Sequence, residues 1–264
     1  MKFAIIGTGF IFRTHVQAIT QIGGQIIDVV SKSNGEKAWK NLIEQTKADC
    51  IVILTPNDLH FEMVKFASER GKIVLSEKPL TIKSGEAKIL AGSQNIFAVL
   101  QLRHHPFTKK LKLEIAKDKN YEIEMDISVH RDLEYYKTWK GIPERSGGVL
   151  FNLGIHYFDL LLYLFGKPIE VSTNFLNAKT GIGIIKGENY LCHWKVSTDA
   201  KQNTQRRVFK INGVNYNFSS KENLAYENLH YFVYKDLLRK KGVTPKEVLP
   251  SIKLIEKLYA SYKK

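Results

Sequence analysis

The first hundred residues alternate short apolar runs with segments of helical periodicity. The runs KFAIIG, QIIDVV, ADCIVILTP, KIVLSEKP and NIFAVLQL predict strands, and the segments between them predict helices. ADCIVILTP is apolar at successive positions, which is typical of a strand buried on both faces. Because strands that alternate with helices favour parallel pairing, the pattern predicts an α/β domain of the dinucleotide-binding type over residues 1–117.

Residues 118–264 have a different pattern. YEIEMDISVH, PIEVSTNFLN, ENYLCHWKVS, RRVFKI and VNYNFS alternate apolar and polar positions, as antiparallel strands with one buried face do. Helical stretches are predicted at about 222–240 and 245–263. We therefore predict a second, α+β domain built on an open, mainly antiparallel sheet.

One apolar segment, GGVLFNLGIHYFDLLLYLFGK at residues 147–167, contains Asn152, His156 and Asp159. A membrane span needs roughly 20 apolar residues with few interruptions, and this run is shorter and interrupted three times. On a helix, positions i, i+4 and i+7 form one stripe. The stripe is interpreted either as hydrogen-bonded polar groups in a core or as the wall of an active site.

Composition narrows the class of protein. The 264 residues, 44% hydrophobic and 25% charged, can form one large or two small domains. The net charge of +14 favours an anionic partner, but it comes mainly from scattered lysines without a zinc-finger or RNA-binding signature. We expect no nucleic-acid and no membrane partner. The isolated Cys50 and Cys192, and an N-terminus without signal-peptide features, predict a cytoplasmic protein.

Residues suited to ligand binding follow four of the predicted strands, where open parallel sheets bind their ligands. Gly7 and Gly9 would let backbone N–H groups approach a pyrophosphate at a helix N-terminus, although Phe12 stands where the dinucleotide fingerprint has its third glycine. The later strand ends carry Thr55, Asn57 and His60, then Glu77, Lys78 and Pro79, then Gln101, Arg103, His104 and His105. Together they predict a pocket.

SEKPL at a strand end, followed by GGVLFNLGIHYFD, resembles the glucose–fructose oxidoreductase / inositol dehydrogenase family of nicotinamide-dependent sugar oxidoreductases over nearly the whole chain. VLQLRHHP, YYKTWKG and the pair Leu229-His230 are similar to one subgroup, the UDP-N-acetylglucosaminuronate 3-dehydrogenases of bacterial surface-polysaccharide synthesis. Asn152 supports this subgroup, because most of the wider family has Asp there. The resemblance also implies a homodimer or homotetramer formed through the sheet of the second domain.

The resemblance implies a role for each site residue. His156 would be the base for a secondary hydroxyl, Lys78 would stabilise the developing alkoxide, and Asn152 would orient the sugar. Asp159 would either hold the imidazole or be structural, and Arg103 would either meet an anionic group or be a surface residue. Expected cofactor contacts are Gly7, Gly9, Phe10, Ile11, Ser31, Lys32, Thr55, Asn57, His60, Glu77, Lys78 and Gln101. Expected substrate contacts are Arg103, Tyr135, Trp139, Lys140, Asn152, His156 and His230, with no metal.

The chain departs from the family pattern around the adenosine side of the cofactor. Between VVSKS and ADCIVIL only about one helix fits, where a full mononucleotide half has a helix and a further strand. The acidic residue that would bind the ribose of NAD is replaced by Ser31, Lys32 and Ser33. This loop could accept the 2′-phosphate of NADP, whereas the subgroup favours NAD, so both cofactors remain candidates.

The predicted function is oxidation of the C3 hydroxyl of a nucleotide-linked sugar acid such as UDP-N-acetylglucosaminuronate. One alternative is an oxidoreductase of the same fold that acts on a free sugar or inositol. Another is a non-catalytic binding or regulatory relative. Lys78 and His156 argue against the non-catalytic alternative, and the shortened cofactor half argues for it.

Overall fold

A computed structural model describes residues 1–218 and 226–262, without the side chains of Tyr226 and Glu227. The chain forms two compact units. The first comprises Met1–Gln101 and Tyr226–Leu249, and the second comprises Leu102–Ala225 and Pro250–Lys264.

The first unit is built on a parallel sheet, as the alternating pattern predicts. Its strand order is β2-β1-β3-β4-β5, and Ile5 of the buried β1 is aligned with Val29 on one side and Val52 on the other. In chain order, its elements up to residue 101 are β1 Lys2–Ile6, α1 Phe12–Gln21, β2 Gln25–Val30, α2 Ala38–Gln45, β3 Cys50–Ile53, α3 His60–Glu69, β4 Ile73–Ser76, α4 Ser84–Leu90 and β5 Ile96–Ala98.

The predicted shortening of the cofactor half is confirmed. Helix α2 lies between β2 and β3 in the chain, and β3 pairs with the opposite side of β1. Strand β2 is consequently an edge strand, and most of its residues are partly exposed. The sheet therefore ends where the complete fold would continue with another strand.

The second unit contains a mixed sheet in the order β11-β10-β6-β9-β8-β7. Strands β6 and β9 pair in parallel and the other described pairs are antiparallel, which confirms the predicted open, mainly antiparallel sheet. The elements are α5 Pro106–Glu114, β6 Tyr121–Ser128, α6 Leu133–Lys137, α7 Pro143–Ser146, α8 Ile155–Phe165, β7 Pro168–Leu176, β8 Thr180–Gly187, β9 Tyr190–Ser197, β10 Arg206–Ile211 and β11 Val214–Asn217.

Strand β8 was not predicted, because it contains glycines, which are depleted in strands. A Cβ atom at Gly183 would lie 2.8 Å from the Trp194 ring, and one at Gly181 would lie 3.0 Å from it. The two glycines therefore make room for a large buried indole that is 1% exposed. The residues of β8 therefore do not predict a strand by themselves, because their small size is explained by Trp194 of the neighbouring β9.

The apolar segment of the second unit is a core element. Pro143–Phe165 is long and apolar enough for a membrane span, but 67% of its most apolar window is buried within the protein. Phe158 packs edge-on against Trp194, with ring centroids 5.4 Å apart. Before α8, residues Leu150–Gly154 form a π-helical turn, a feature that often marks functional sites.

Two helices end the described chain, as predicted: α9 Tyr226–Leu238 and α10 Pro245–Ser261. Val233, Tyr234 and Leu237 of α9 join the apolar core of the first unit, and α9 packs on α1. The division into units therefore differs from the predicted boundary at residue 117, because this distant segment completes the first core. Ser219 of the predicted last strand, residues 222–225 of the first predicted helix and Lys263 of the second lie outside the described residues.

His105 caps the N-terminus of helix α5 with its side chain. Its Nδ1 accepts a hydrogen bond from the Phe107 backbone N–H, and its ring packs 4.7 Å from that of Phe218. Burial lowers the pKa of His105 to about 4. The folded protein therefore holds this imidazole in its neutral, hydrogen-bond-accepting form.

We expect the free energy of unfolding to decrease as the pH is lowered from about 6.5 to about 4. Across this window the unfolded chain protonates His105 and the folded protein does not, so acid favours unfolding, by at most about 1.4 kcal/mol per pH unit. His105→Asn keeps a capping acceptor that does not titrate. Urea unfolding between pH 7.5 and 4.5 should give a shallower pH dependence for the variant, and equal slopes would contradict the assignment.

Candidate active site

The loop between β1 and α1 has the geometry of a phosphate-binding loop. Gly7 has a φ of +104°, and a Cβ atom there would lie 2.7 Å from the Leu54 carbonyl oxygen. A Cβ atom at Gly9 would meet nothing within 4 Å, so the space beside the loop is open. Within the described residues no side chain caps the ten-residue α1 at Ile11, and its first turn contains no acid. Backbone N–H groups at such a helix end favour an anion.

The two aromatic residues of this loop have different environments. The Phe10 side chain is 92% exposed. Phe12, which replaces the third glycine, packs against the apolar core of the first unit. A phenylalanine is therefore compatible with the start of α1, and the missing glycine does not disrupt the loop.

The loop after β2 is folded on itself. The hydroxyl groups of Ser31 and Ser33 are 2.7 Å apart, and the Ser31 backbone N–H donates to Asn34 Oδ1 at 2.8 Å. Both serines therefore have local partners within the loop that is predicted to accept a 2′-phosphate. Lys32 is exposed and supplies the positive charge of this loop.

His60 is placed beneath the strand ends, not at their surface. Its Nδ1 lies 2.7 Å from the Pro79 carbonyl oxygen and its Nε2 lies 2.9 Å from that of Thr55. The ring is fully buried, and burial lowers its pKa although both neighbouring carbonyl oxygens raise it. His60 is predicted as a cofactor contact, and its two ring nitrogens face the carbonyl oxygens that follow β3 and β4.

Two polar residues at the strand ends are buried. Asn57 is 4% exposed and Gln101 is 6% exposed. Gln101 Oε1 has no hydrogen-bond partner among the described residues. A buried acceptor of this kind carries a desolvation cost that a bound donor would remove. Gln101 and the glycine loop therefore both fit a dinucleotide.

Lys78 follows β4 and is half-buried. The preceding residue, Glu77, is in contact with two histidines. Glu77 Oε1 lies 3.0 Å from His15 Nε2 and 3.5 Å from His230 Nε2. Burial alone would raise the pKa of Glu77, but these two histidines hold it well below its usual value. His230, predicted as a substrate contact, is 1% exposed and lies beside Glu77.

In the second unit, the structure brings Asn152 and Tyr135 together. Asn152 Nδ2 donates to the Tyr135 hydroxyl at 2.6 Å. Arg131 and Lys140 lie over the Tyr135 ring, at 5.3 and 5.0 Å from its centroid. Burial and the charge of Arg131 lower the pKa of Lys140. We call Arg131, Tyr135, Lys140 and Asn152 the cationic cluster.

Sequence reasoning missed Arg131, because its only signal is that it lies four residues before Tyr135. The predicted Trp139 is half-buried beside this cluster, with Lys140 Nζ 6.0 Å from its ring centroid. The cluster contains two cations, a hydroxyl and an amide. These groups are suited to an anionic, hydrogen-bonding ligand.

Asp159 and His156, two residues of the polar stripe on the apolar helix, have different surroundings. Asp159 Oδ1 accepts hydrogen bonds from Arg103 Nη2 and Ser251, and its Oδ2 accepts one from Arg103 Nε. The structural interpretation of Asp159 is therefore supported. Arg103, proposed from the sequence as an anion-binding residue, is neutralised by this buried carboxylate. His156 lies one turn before Asp159 and is 8% exposed.

Two sequence models of one oxidoreductase family match the chain. The model of the NAD-binding Rossmann fold matches residues 1–94, and the model of the C-terminal alpha/beta domain matches residues 120–182. The chain belongs to the Gfo/Idh/MocA oxidoreductase family. The resemblance to this family that the motifs carry is therefore confirmed, and residues 1–94 of the first unit match its Rossmann-fold domain.

Solved structures extend this similarity over almost the whole chain. The WlbA (WbpB) dehydrogenase from Thermus thermophilus, in complex with NAD and UDP-GlcNAcA, is 26% identical, with a TM-score of 0.84 over 97% of this chain and 93% of that one. The WlbA dehydrogenase from Bordetella pertussis, in complex with NADH and UDP-GlcNAcA, has a TM-score of 0.80 over 99% and 95% of the chains. At 20% identity, this second likeness shows the fold alone.

Curated relatives are also distant. The uncharacterized oxidoreductase YdgJ from Escherichia coli is 26% identical over 69% of this chain, and the scyllo-inositol 2-dehydrogenase (NADP(+)) IolU from Bacillus subtilis is 27% identical over 75%. The alignments cover 58% of YdgJ and 71% of IolU. The chain thus spans little more than half of the length of YdgJ.

Proposed function

We propose that this family member oxidises the C3 hydroxyl of a nucleotide-linked sugar acid such as UDP-N-acetylglucosaminuronate. The observation that carries the proposal is the cationic cluster, in which Arg131 and Lys140 flank Tyr135 and Asn152. Two cations suit a substrate with a diphosphate and a carboxylate. The UDP-GlcNAcA bound to the WlbA dehydrogenase of Thermus thermophilus supports the same substrate class.

The proposed chemistry uses three side chains. An imidazole nitrogen of His156 takes the hydroxyl proton, since imidazole titrates near neutral pH. The Lys78 ammonium stabilises the alkoxide that develops. The Asn152 amide, held by Tyr135, orients the sugar without adding charge. Gly7, Gly9 and the start of α1 would hold the pyrophosphate of NAD or NADP, which would supply the hydride acceptor when bound.

Oxidation of an uncharged sugar or inositol is the second candidate, because IolU and this chain are 27% identical over 232 residues. The two candidates differ in what the cationic cluster contacts. Steady-state oxidation should be measured with UDP-N-acetylglucosaminuronate, UDP-N-acetylglucosamine, scyllo-inositol and free N-acetylglucosamine, each with NAD and NADP. A higher kcat/KM for the UDP-sugar acid supports the first proposal, and a higher value for inositol supports the second.

Binding tests whether the protein is an enzyme at all. Calorimetric titration with NAD, NADH, NADP and NADPH, with and without the UDP-sugar acid, should show binding of at least one dinucleotide. If none binds under either condition, both oxidoreductase proposals fail and a non-catalytic role is favoured.

We expect Lys32→Asp to shift cofactor preference from NADP towards NAD by about 1–3 kcal/mol. Lys32 supplies the positive charge of the loop after β2, and a carboxylate in its place would repel a 2′-phosphate. The preference is the ratio of the dissociation constants of NADP and NAD, measured by calorimetry. Lys47→Asp, at an exposed lysine before β3, makes the same change in net charge and should leave the ratio unchanged. An unchanged ratio in Lys32→Asp would remove this loop from the cofactor site.

A further inference from the structure

A chain of buried polar groups connects three distant segments of the first unit. It comprises His15 of α1, Glu77 after β4, and His230 and Tyr234 of α9. His15 Nδ1 lies 2.7 Å from the Tyr234 hydroxyl, and His15 Nε2 lies 3.0 Å from Glu77 Oε1. His15, His230 and Tyr234 are each at most 1% exposed, so water does not compete for these bonds.

The donors and acceptors of the chain can be assigned from its chemistry. The two histidines hold the pKa of Glu77 well below its usual value, so its carboxylate is ionised and only accepts hydrogen bonds. His15 Nε2 must then carry a proton. Burial lowers the pKa of His15, so the ring is neutral and its Nδ1 accepts from the Tyr234 hydroxyl. Tyr234 donates to His15, and His15 donates to Glu77.

The Glu77 carboxylate connects the two histidines to the main chain of Lys78. Glu77 Oε2 accepts a hydrogen bond from the Lys78 backbone N–H at 3.2 Å, while Oε1 faces the two histidines. Rotation of the carboxylate would break the bonds on both of its sides. The orientation of Glu77 therefore fixes the main chain from which the Lys78 side chain projects.

We propose that His230, together with His15, is a positioning residue that holds Lys78 through the Glu77 carboxylate. The inference rests on the proposed function only in that Lys78 acts on the reacting hydroxyl. It gives α9 a role in catalysis without contact with the substrate. A misplacement of about 1 Å at a reacting group can cost about 10²-fold in rate.

A bound divalent cation is the competing interpretation of the same residues. Ligand atoms of His15, Glu77 and His230 lie within 4.8 Å of one another, and two histidines with a carboxylate are a common ligand set. The 3.0 Å distance from His15 Nε2 to Glu77 Oε1 is that of a direct hydrogen bond. A hydrogen bond between His15 and Glu77 therefore accounts for this distance without a bound ion.

The test compares two substitutions of His230. His230→Gln retains a neutral donor near the carboxylate, the amide Nε2 of glutamine, whereas His230→Leu removes the donor. We expect His230→Leu to lower kcat about 10- to 100-fold while changing the dinucleotide dissociation constant less than about 3-fold. His230→Gln should recover most of kcat. A merely structural role predicts similar kcat for both variants once each is shown to be folded by its thermal unfolding midpoint.

Hydrogen exchange at the Lys78 amide tests the connection without relying on activity. This amide should exchange at least about 10-fold faster in His230→Leu than in the wild type or His230→Gln, because its acceptor Glu77 then keeps only His15 of the two histidines that hold it. Unchanged exchange in His230→Leu would overturn the proposal. So would one equivalent of metal in the purified protein, measured by mass spectrometry, that is lost in His230→Leu.

The Lys78→Met variant distinguishes failure of the proposed function from failure of the positioning role of His230. Lys78→Met should abolish oxidation if Lys78 is catalytic. Full activity in Lys78→Met would reject that role, while the exchange experiment would still decide whether His230 positions the main chain. Loss of activity in Lys78→Met, with normal kcat and normal exchange in His230→Leu, would reject the positioning role alone.

Discussion

Replacement of His156 by Ala is expected to lower the rate of the chemical step by about 10²–10⁴-fold, the range for loss of a general base. His156 lies at the start of α8, directly after the π-helical segment that contains Asn152, and it is 8% exposed. Without the imidazole, the hydroxyl proton has no acceptor of suitable pKa. Stopped-flow absorbance of reduced nicotinamide, with saturating UDP-N-acetylglucosaminuronate, measures this step directly.

A matched control separates this effect from the general loss of a histidine. His193 is exposed on β9 of the same unit, and His193→Ala should retain the wild-type rate. We expect His156→Ala to bind the dinucleotide normally and to unfold close to the wild-type temperature, since Asn152 and Asp159 keep their own partners. Wild-type activity in His156→Ala would end the proposed mechanism.

Replacement of Arg103 by Met is expected to lower the free energy of unfolding by about 3–5 kcal/mol. Arg103 makes a bidentate ion pair with Asp159, with bonds of 2.9 and 2.8 Å, and their side chains are only 11% and 2% exposed. Met keeps much of the side-chain volume but leaves the Asp159 carboxylate buried without its cation. Ser251 remains as a neutral donor, which does not balance the charge.

Urea unfolding of three variants tests this interpretation. Arg206→Met removes the arginine of an exposed pair with Asp126 in the same unit, and such pairs contribute about 0–1 kcal/mol. The double variant Arg103→Met, Asp159→Leu removes both buried charges and should recover much of the lost stability. If Arg103→Met were no more destabilising than Arg206→Met, the ion pair would not hold α8 in place.

The sequence by itself determined most of the elements and their order. Burial repeats every second residue in a half-buried strand and every third or fourth in a helix, so the pattern of apolar positions encodes each element locally. The five parallel strands and the shortened adenosine half followed from this pattern and from the count of residues between strands. Strand β8 was missed because Gly181 and Gly183, which are unusual in strands, make room for Trp194 of the neighbouring strand.

Only the tertiary structure decided which groups the polar side chains bond, because the two members of each pair are far apart in sequence. Asn152 bonds Tyr135 from 17 residues away, Arg103 bonds Asp159 across 56, and His15 bonds Tyr234 across 219. No local pattern distinguishes a histidine that faces a ligand from one that holds a buried carboxylate. The desolvation cost of a buried polar group obliges it to find a partner, and only the packing of the chain decides which one.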